Sequence, residues 1–599
     1  MSSPHQAASE PWTPVAPDAS SEAAGARPAP VEQPPQIAQI VQGEQPPLAR
    51  FPMRQAIGLE LAKMRRLRVV PILLAVTATT TVLAASALFS ASARASWADP
   101  DSDLWAALLL SCTMMAGALT GPLSAAIMAG HLTDIEHSGS GWNLAAGVGL
   151  TPGRLLRAKV AALALLIVPA IVIQSLALIA VGTAVGIAAP VPVGAWVSWT
   201  VSFAVLQMIM VAGHAWLSAV VPNQLVSMAA GLLGSFVAVY LLLAPAWLAR
   251  LLPWGYYAVI SPIAMHDNQI VLVTPGWPFF GMLVLAAVSL FTVVTARLDR
   301  IEERGIALGI SRANGGPERR RRGAGRAGQG HDSVLRASGA RAQARPGRRP
   351  SGRGPALVGV EVSKLRRSAV PVVAVVIPLL TVIAGAVNYW GNQGVLSWGW
   401  ESLASQVTVF YSLIFAPMAV ALLVSATWRV EHRGTSWNMM RTTPHSTVAI
   451  VLAKAAAVLA PVIVMELVLL AMTWIAGMVL GLGWRMPLEL LAQGAVFVLA
   501  CLPLIGVQSL LSMRMRSFAG PVAVCLGQVV VAFMLVATAN PASTVWPAAL
   551  VTRALSLGSI AISTAGGLDV AGIAPILAGA LVSGLVCWAA LALAARRRE

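Results

Sequence analysis

Charge is scarce in this sequence. Only 11% of its 599 residues are Asp, Glu, Lys or Arg, and 57% are hydrophobic, whereas about 25% of a soluble domain is charged. Uncharged runs such as 160–185 and 570–595 exceed the roughly 20 apolar residues that a spanning helix needs. A string of soluble domains is excluded and a polytopic membrane protein implied. Cysteine is also sparse. Cys112, Cys501, Cys525 and Cys587 lie in apolar stretches without a CxxC spacing, which suits small core residues rather than disulfides or metal ligands. Aromatics make up 6%, and no long polar–apolar alternation suggests a transmembrane barrel. Lysine occurs four times and never after glycine, so there is no Gly-Lys-[Ser/Thr] loop to cradle phosphates. No HExxH, paired-carboxylate or triad spacing is present either, which leaves no catalytic or metal residues to nominate.

What is present is hydrophobic and periodic. Hydropathy predicts twelve spans near 70–90, 105–129, 155–181, 196–221, 224–248, 277–296, 370–387, 404–426, 448–479, 488–511, 518–539 and 572–595. With both termini inside, only Arg94, Arg250, Arg485 and Arg553 fall outside, as the positive-inside rule requires. The expected organisation has four parts. Residues 1–53 form a disordered cytoplasmic tail: ten prolines and no apolar stretch before residue 50 argue against a signal peptide. A first six-helix unit covers 54–296 and a second covers 356–599. Between them, 297–355 is an Arg/Gly-rich linker. The stretch 297–358 holds fifteen arginines and five acids. It reads either as an RNA-binding segment or as a solvated tether near anionic lipid; the tether is preferred, with no nucleic-acid partner.

The two units repeat. Glu60-Leu-Ala-Lys63-Met-Arg65-Arg66 returns as Glu361-Val-Ser-Lys364-Leu-Arg366-Arg367, 301 positions on. Glu136-His137-Ser-Gly139-Ser-Gly-Trp142-Asn143 returns as Glu431-His432-Arg-Gly434-Thr-Ser-Trp437-Asn438, 295 positions on, and Lys159 and Lys454 keep that offset. All four lysines therefore sit at paired positions. Equal span number and parallel orientation predict an all-α fold of two parallel six-helix repeats related by a pseudo-two-fold along the membrane normal.

Glu60 and Lys63, or Glu361 and Lys364, are neighbours on a helix surface. With the following arginines they predict a short amphipathic helix at the cytoplasmic interface, its cations near lipid headgroups; a plain positive-inside anchor is the alternative. The second motif predicts a short helix between spans two and three. Ser140 or Thr435 would be its cap, and Thr151-Pro152 or Thr443-Pro444 would start the third span. Trp142 and Trp437 on such helices read either as protein-docking anchors or as aromatic-belt residues.

A juxtamembrane Glu-x-x-Lys-x-Arg-Arg, six spans, and a Glu…Gly-x-x-Trp-Asn…Thr-Pro…Lys loop resemble ABC exporter permeases of the second type, with the bacitracin and lantibiotic-immunity permeases the nearest branch. The resemblance covers 54–296 and 356–595. It implies that the loop after span two is a coupling helix docking in an ATPase groove. Glu136, Gly139, Trp142 and Asn143 would dock in the first unit, and Glu431, Gly434, Trp437 and Asn438 in the second. Permeases of that family usually carry one such unit per chain and pair; here the repeat places two fused units in one chain, with the linker as the join. The resemblance implies two copies of one cassette ATPase, or two related ones, that carry ATP and Mg, no cofactor on this chain, and a bacterial plasma membrane location. Glu466, inside the ninth span, reads as a contact for a cationic substrate or as a protonated acid bonded between helices. The functional expectation is an ATP-driven exporter permease for a hydrophobic or amphipathic substrate such as a peptide antibiotic. The alternatives are a major-facilitator-type secondary transporter, whose Arg-rich loop element is missing here, and a non-transporting signalling or assembly protein.

Overall fold

The computed structural model describes residues 51–138, 141–242, 246–266, 269–273, 276–314, 354–432, 443, 445–556 and 570–597. Eleven helices are long and apolar enough to cross a membrane, and a bent pair, Leu104–Leu119 with Gly121–His137, makes a twelfth. The first unit contains α1 (Met53–Arg66), α2 (Val69–Ala85), α3 (Leu104–Cys112), α4 (Gly121–Ser138), the short α5 (Gly141–Gly147), α6 (Pro152–Ala184), α7 (Val193–Val220), α8 (Gln224–Leu241), the hairpin β1 (Ile263–His266) and β2 (Gln269–Leu272), and α9 (Trp277–Asn314). The second contains α10 (Gly354–Arg366), α11 (Val370–Gly391), α12 (Trp400–Phe410), α13 (Ala416–His432), α14 (Thr447–Ala457), α15 (Leu459–Val479), α16 (Leu488–Arg514), α17 (Ala519–Ala537), α18 (Pro547–Ser556) and α19 (Val570–Arg596). The strands pair antiparallel, with Ile263 opposite Leu272.

The cross-unit packing is reciprocal. Helix α2 packs on α17 while its counterpart α11 packs on α8, and α4 packs on α17 while α13 packs on α8. Each contact recurs with the units exchanged, which is what a pseudo-two-fold produces. The second spans sit at the centre: the apolar window of Trp400–His432 is 78% buried, against 11% for Trp277–Arg300 at the periphery.

Both second spans contain a π-helical turn, Thr113–Leu119 and Tyr411–Phe415. In the first unit the following Gly121-Pro122 turns the span by 42°. Pro122 cannot donate back to the preceding turn. A Cβ at Gly121 would meet the Tyr257 hydroxyl at 2.8 Å. The second unit has Ala416-Pro417 there and stays in one line.

Several boundaries differ from expectation. Hydropathy stops the second spans near 129 and 426, yet the helices continue to Ser138 and His432, because the charges that end the apolar run are paired. The linker was expected to begin at 297, but α9 continues to Asn314. Asp299 fastens it to α6: Gly153 N donates to Asp299 Oδ1 at 2.7 Å, and Arg157 Nη2 donates to Oδ2 at 3.0 Å. Asp299 thus takes the capping role expected of Thr151, whose side chain caps nothing. In the second unit the third span starts at Thr447 with Ser446 accepting from Ala449 N at 3.2 Å, not at Thr443-Pro444. Ser446 lies 295 positions after Thr151, so the starts correspond.

Candidate functional site

All four lysines converge on the four repeated glutamates. In the first unit Lys63 Nζ donates to Glu60 Oε1 at 2.6 Å and to Glu136 Oε1 at 2.7 Å. Lys159 Nζ donates to Glu60 Oε2 and Glu136 Oε1, both at 2.7 Å, and to the Leu132 carbonyl at 3.2 Å. In the second unit Lys364 Nζ meets Glu361 Oε1 at 2.7 Å and Glu431 Oε1 at 3.5 Å. Lys454 Nζ meets Glu361 Oε2 at 2.6 Å and Glu431 Oε1 at 2.9 Å. Each cluster has two acids and two bases, so its net charge is zero. Lys159 and Glu60 are each 1% exposed and Glu136 is 3% exposed. Charges this deep persist only when paired. Burial alone would lower the Lys63 pKa, but hydrogen bonds and attraction from Glu136 and Glu60 outweigh it and raise it above 10.5. Lys364 behaves alike against Glu361 and Glu431.

The cluster ties three elements together: α1 supplies Glu60 and Lys63, the end of the second span supplies Glu136, and the start of the third supplies Lys159. Between the last two lies α5, seven residues long. Gly141 opens it against Glu136; a Cβ there would lie 1.8 Å from Glu136 Oε2. His137 Nε2 pairs with the Ser218 carbonyl at 2.8 Å, and its counterpart His432 Nε2 with the Ser512 carbonyl at 2.7 Å.

These positions revise several expected roles. Glu136 and Glu431 are buried ion-cluster members, not surface docking groups. Lys63 and Lys364 are held by carboxylates rather than turned to lipid headgroups, while Arg65, Arg66, Arg366 and Arg367 are exposed. Trp142 is half-buried. Its Nε1 donates to His137 Nδ1 at 3.3 Å, and its ring packs in a cluster with Ala56, Leu150, Leu155 and Ala158. The exposed residues here are instead Asn143, Leu144 and Gly147 of α5 and Val148 just after it. Leu144 and Val148, four apart and 71% and 54% exposed, were not singled out from sequence; their i, i+4 spacing was the available signal. Gly139, Gly434, Trp437 and Asn438 lie outside the described residues, as do the expected caps Ser140 and Thr435.

Glu466 is buried against α16. A Cβ at Gly494 would lie 2.6 Å from Glu466 Oε1, and Oε2 has no hydrogen-bond partner among the described residues. Its equivalent in the first unit is Ile171. That unit holds amides instead: Gln174 donates to Thr80 Oγ1 at 2.8 Å, and Gln207 donates to the Gly121 carbonyl at 3.0 Å while accepting from Tyr257 at 2.9 Å. Both amides bridge helices.

The family model described as ABC-2 family transporter protein matches twice, over 56–238 and 357–534. The two matches start at equivalent positions and together cover more than half of the chain. The chain belongs to the ABC-2 transporter family. No curated protein matches it. This permease is a multi-pass membrane protein with the family unit present twice, and the family normally works with ATPase partners. Both matches end inside the fifth span of their unit. They include every residue of the two ion clusters.

Proposed function

We propose that this permease is the transmembrane part of an ATP-driven exporter whose hydrolysing subunits are separate polypeptides. One observation supports it above others: each ion cluster joins the helix before span one to the facing ends of spans two and three, and in the first unit this braces a short helix with an exposed apolar face. A push on α5 would pass through Glu136 into α4 and through Lys159 into α6 without being absorbed by loose loops. Asn143, Leu144, Gly147 and Val148 would meet the ATPase groove, and the segment containing Trp437 would do so in the second unit. ATP and Mg would sit on two cassette ATPase copies. Both termini would be cytoplasmic in a bacterial plasma membrane, where lysine and arginine collect on the inner side. The substrate would be hydrophobic or amphipathic, such as a peptide antibiotic of the bacitracin or lantibiotic kind, with Glu466 a candidate contact for a cationic group.

The test is to purify the tagged full-length permease from its host and identify a co-purifying chain with a Gly-Lys-[Ser/Thr] loop. Leu144→Asp with Val148→Asp should abolish co-purification and ATPase activity while leaving the thermal midpoint of the permease unchanged. Undiminished ATPase recovery with the double variant would reject the docking face. ATPase binding without ATP-dependent movement of any candidate peptide would support a non-transporting role.

A further inference from the structure

Asp134 in α4 and Arg429 in α13 form an ion pair between the two units. They lie 295 positions apart, the offset that relates Glu136 to Glu431 and Lys159 to Lys454. They are therefore the same position in the two copies. A position that meets its own equivalent lies at the two-fold axis, where a pair of identical units would set like against like. Two first units would oppose Asp with Asp, and two second units Arg with Arg. The pair is well enclosed, at 22% exposure for Asp134 and 10% for Arg429, so solvent would screen such repulsion only in part. Arg429 also donates to the Pro222 carbonyl of the first unit at 3.4 Å and lies 5.5 Å from the Phe518 ring centre.

A second contact has the same logic. His131 Nδ1 and Ser517 Oγ are 2.7 Å apart across the units, while His131 Nε2 meets the Leu67 carbonyl at 3.0 Å. The equivalents of His131 and Ser517 are Ala426 and Pro222. Two first units would face His131 with a proline lacking both hydroxyl and N–H. Two second units would face Ser517 with alanine. Both contacts exist only between unlike units.

We propose that Asp134–Arg429, supported by His131–Ser517, selects pairing of a first unit with the second unit of the same chain and rejects like-with-like assembly. The two halves are thus committed partners and no longer interchangeable copies. This goes beyond the transport reading and does not depend on it.

The experiment is a charge reversal on the full-length chain in nanodiscs. Asp134→Arg sets Arg against Arg, Arg429→Asp sets Asp against Asp, and the double reversal restores an unlike pair. Each single variant should lower the folded-to-unfolded ratio by roughly tenfold or more, and the double should recover most of that loss. Where a single reversal fails to accumulate, the neutral cycle Asp134→Asn, Arg429→Gln and both together measures the same coupling. Additive losses, or a single reversal as stable as the parent, would overturn the proposal. Co-expressing differently tagged Asp134→Arg and Arg429→Asp chains tests the same-chain clause, since exchanging units between them would repair both pairs. No co-purification and no recovery are expected; recovery with co-purification would overturn pairing within one chain.

Discussion

Lys159 and Glu60 are 99 residues apart in the chain and 2.7 Å apart in space. That single contact brings α1 back onto the start of the third span. The arrangement of Lys454 and Glu361, 93 residues apart and 2.6 Å in space, is its copy.

Lys159→Met should be costly. It leaves two buried carboxylates sharing Lys63 alone, and removing one partner of a buried ion pair costs about 3 kcal/mol or more. Adding Glu136→Gln rebalances the charge and should recover part of the loss. Thermal unfolding in nanodiscs reads both; an unchanged midpoint for Lys159→Met would show that the cluster holds nothing together. Lys454→Met should behave alike.

The clusters should withstand neutral and mildly alkaline conditions. Because Lys63 and Lys364 have folded-state pKa values raised above 10.5, their stabilisation is complete below the unfolded value and is lost as pH rises through the folded one. The thermal midpoint should show no lysine-dependent fall between pH 7 and about 9.5 and should drop above about 10.5. A Lys63→Met, Lys364→Met double variant should lack that alkaline step; a step already complete at pH 9 contradicts the assignment.

Gly141→Ala should act on the cluster from outside it. The added methyl would overlap Glu136 Oε2, so either α5 or the carboxylate must shift. A loss of roughly 1–3 kcal/mol is expected, whereas Gly147→Ala, with nothing near its Cβ, should be close to neutral. Equal midpoints for the two variants would show that the close approach is unimportant.

Trp142 and Leu144 should separate packing from surface. Trp142→Ala removes a half-buried ring from the α1–α6 contact and should cost roughly 2 kcal/mol. Leu144→Ala changes an exposed side chain and should stay within about 0.5 kcal/mol. If Leu144→Ala is the more destabilising of the two, the faces of α5 have been assigned the wrong way round.

Sequence reading found the spans and the repeat because both leave local signals: uncharged runs about 20 residues long and matched Glu, Lys and Trp spacings. It paired Glu60 with Lys63 for the same reason, since three residues apart on a helix is a local relation. It did not see that Lys159 and Glu136 close the same cluster, because nothing local links positions so far apart. An aromatic on a short helix suggests a docking surface when no packing partner is near in sequence; Ala56 of α1, 86 positions earlier, and Leu155 and Ala158 of α6 supply that packing for Trp142. The span ends were misjudged because hydropathy counts each charge as a boundary, while Glu136 and Glu431 are neutralised inside the fold. Asp299 was assigned to a flexible linker by composition, and its role as a cap for α6 depends on a partner 146 residues away. The Gln207 contacts with the Gly121 carbonyl and Tyr257 sit at a bend that no propensity scale registers.

The commitment of every lysine to these clusters also affects how the protein can be handled. All four ε-amines are hydrogen-bonded to carboxylates, and the side chains of Lys159 and Lys454 are only 1% exposed. Acylating dyes and amine-reactive crosslinkers will find few free targets on the native permease, and lysine labelling will rise as the fold opens. The same reagents that serve poorly to tag it can therefore report when it comes apart.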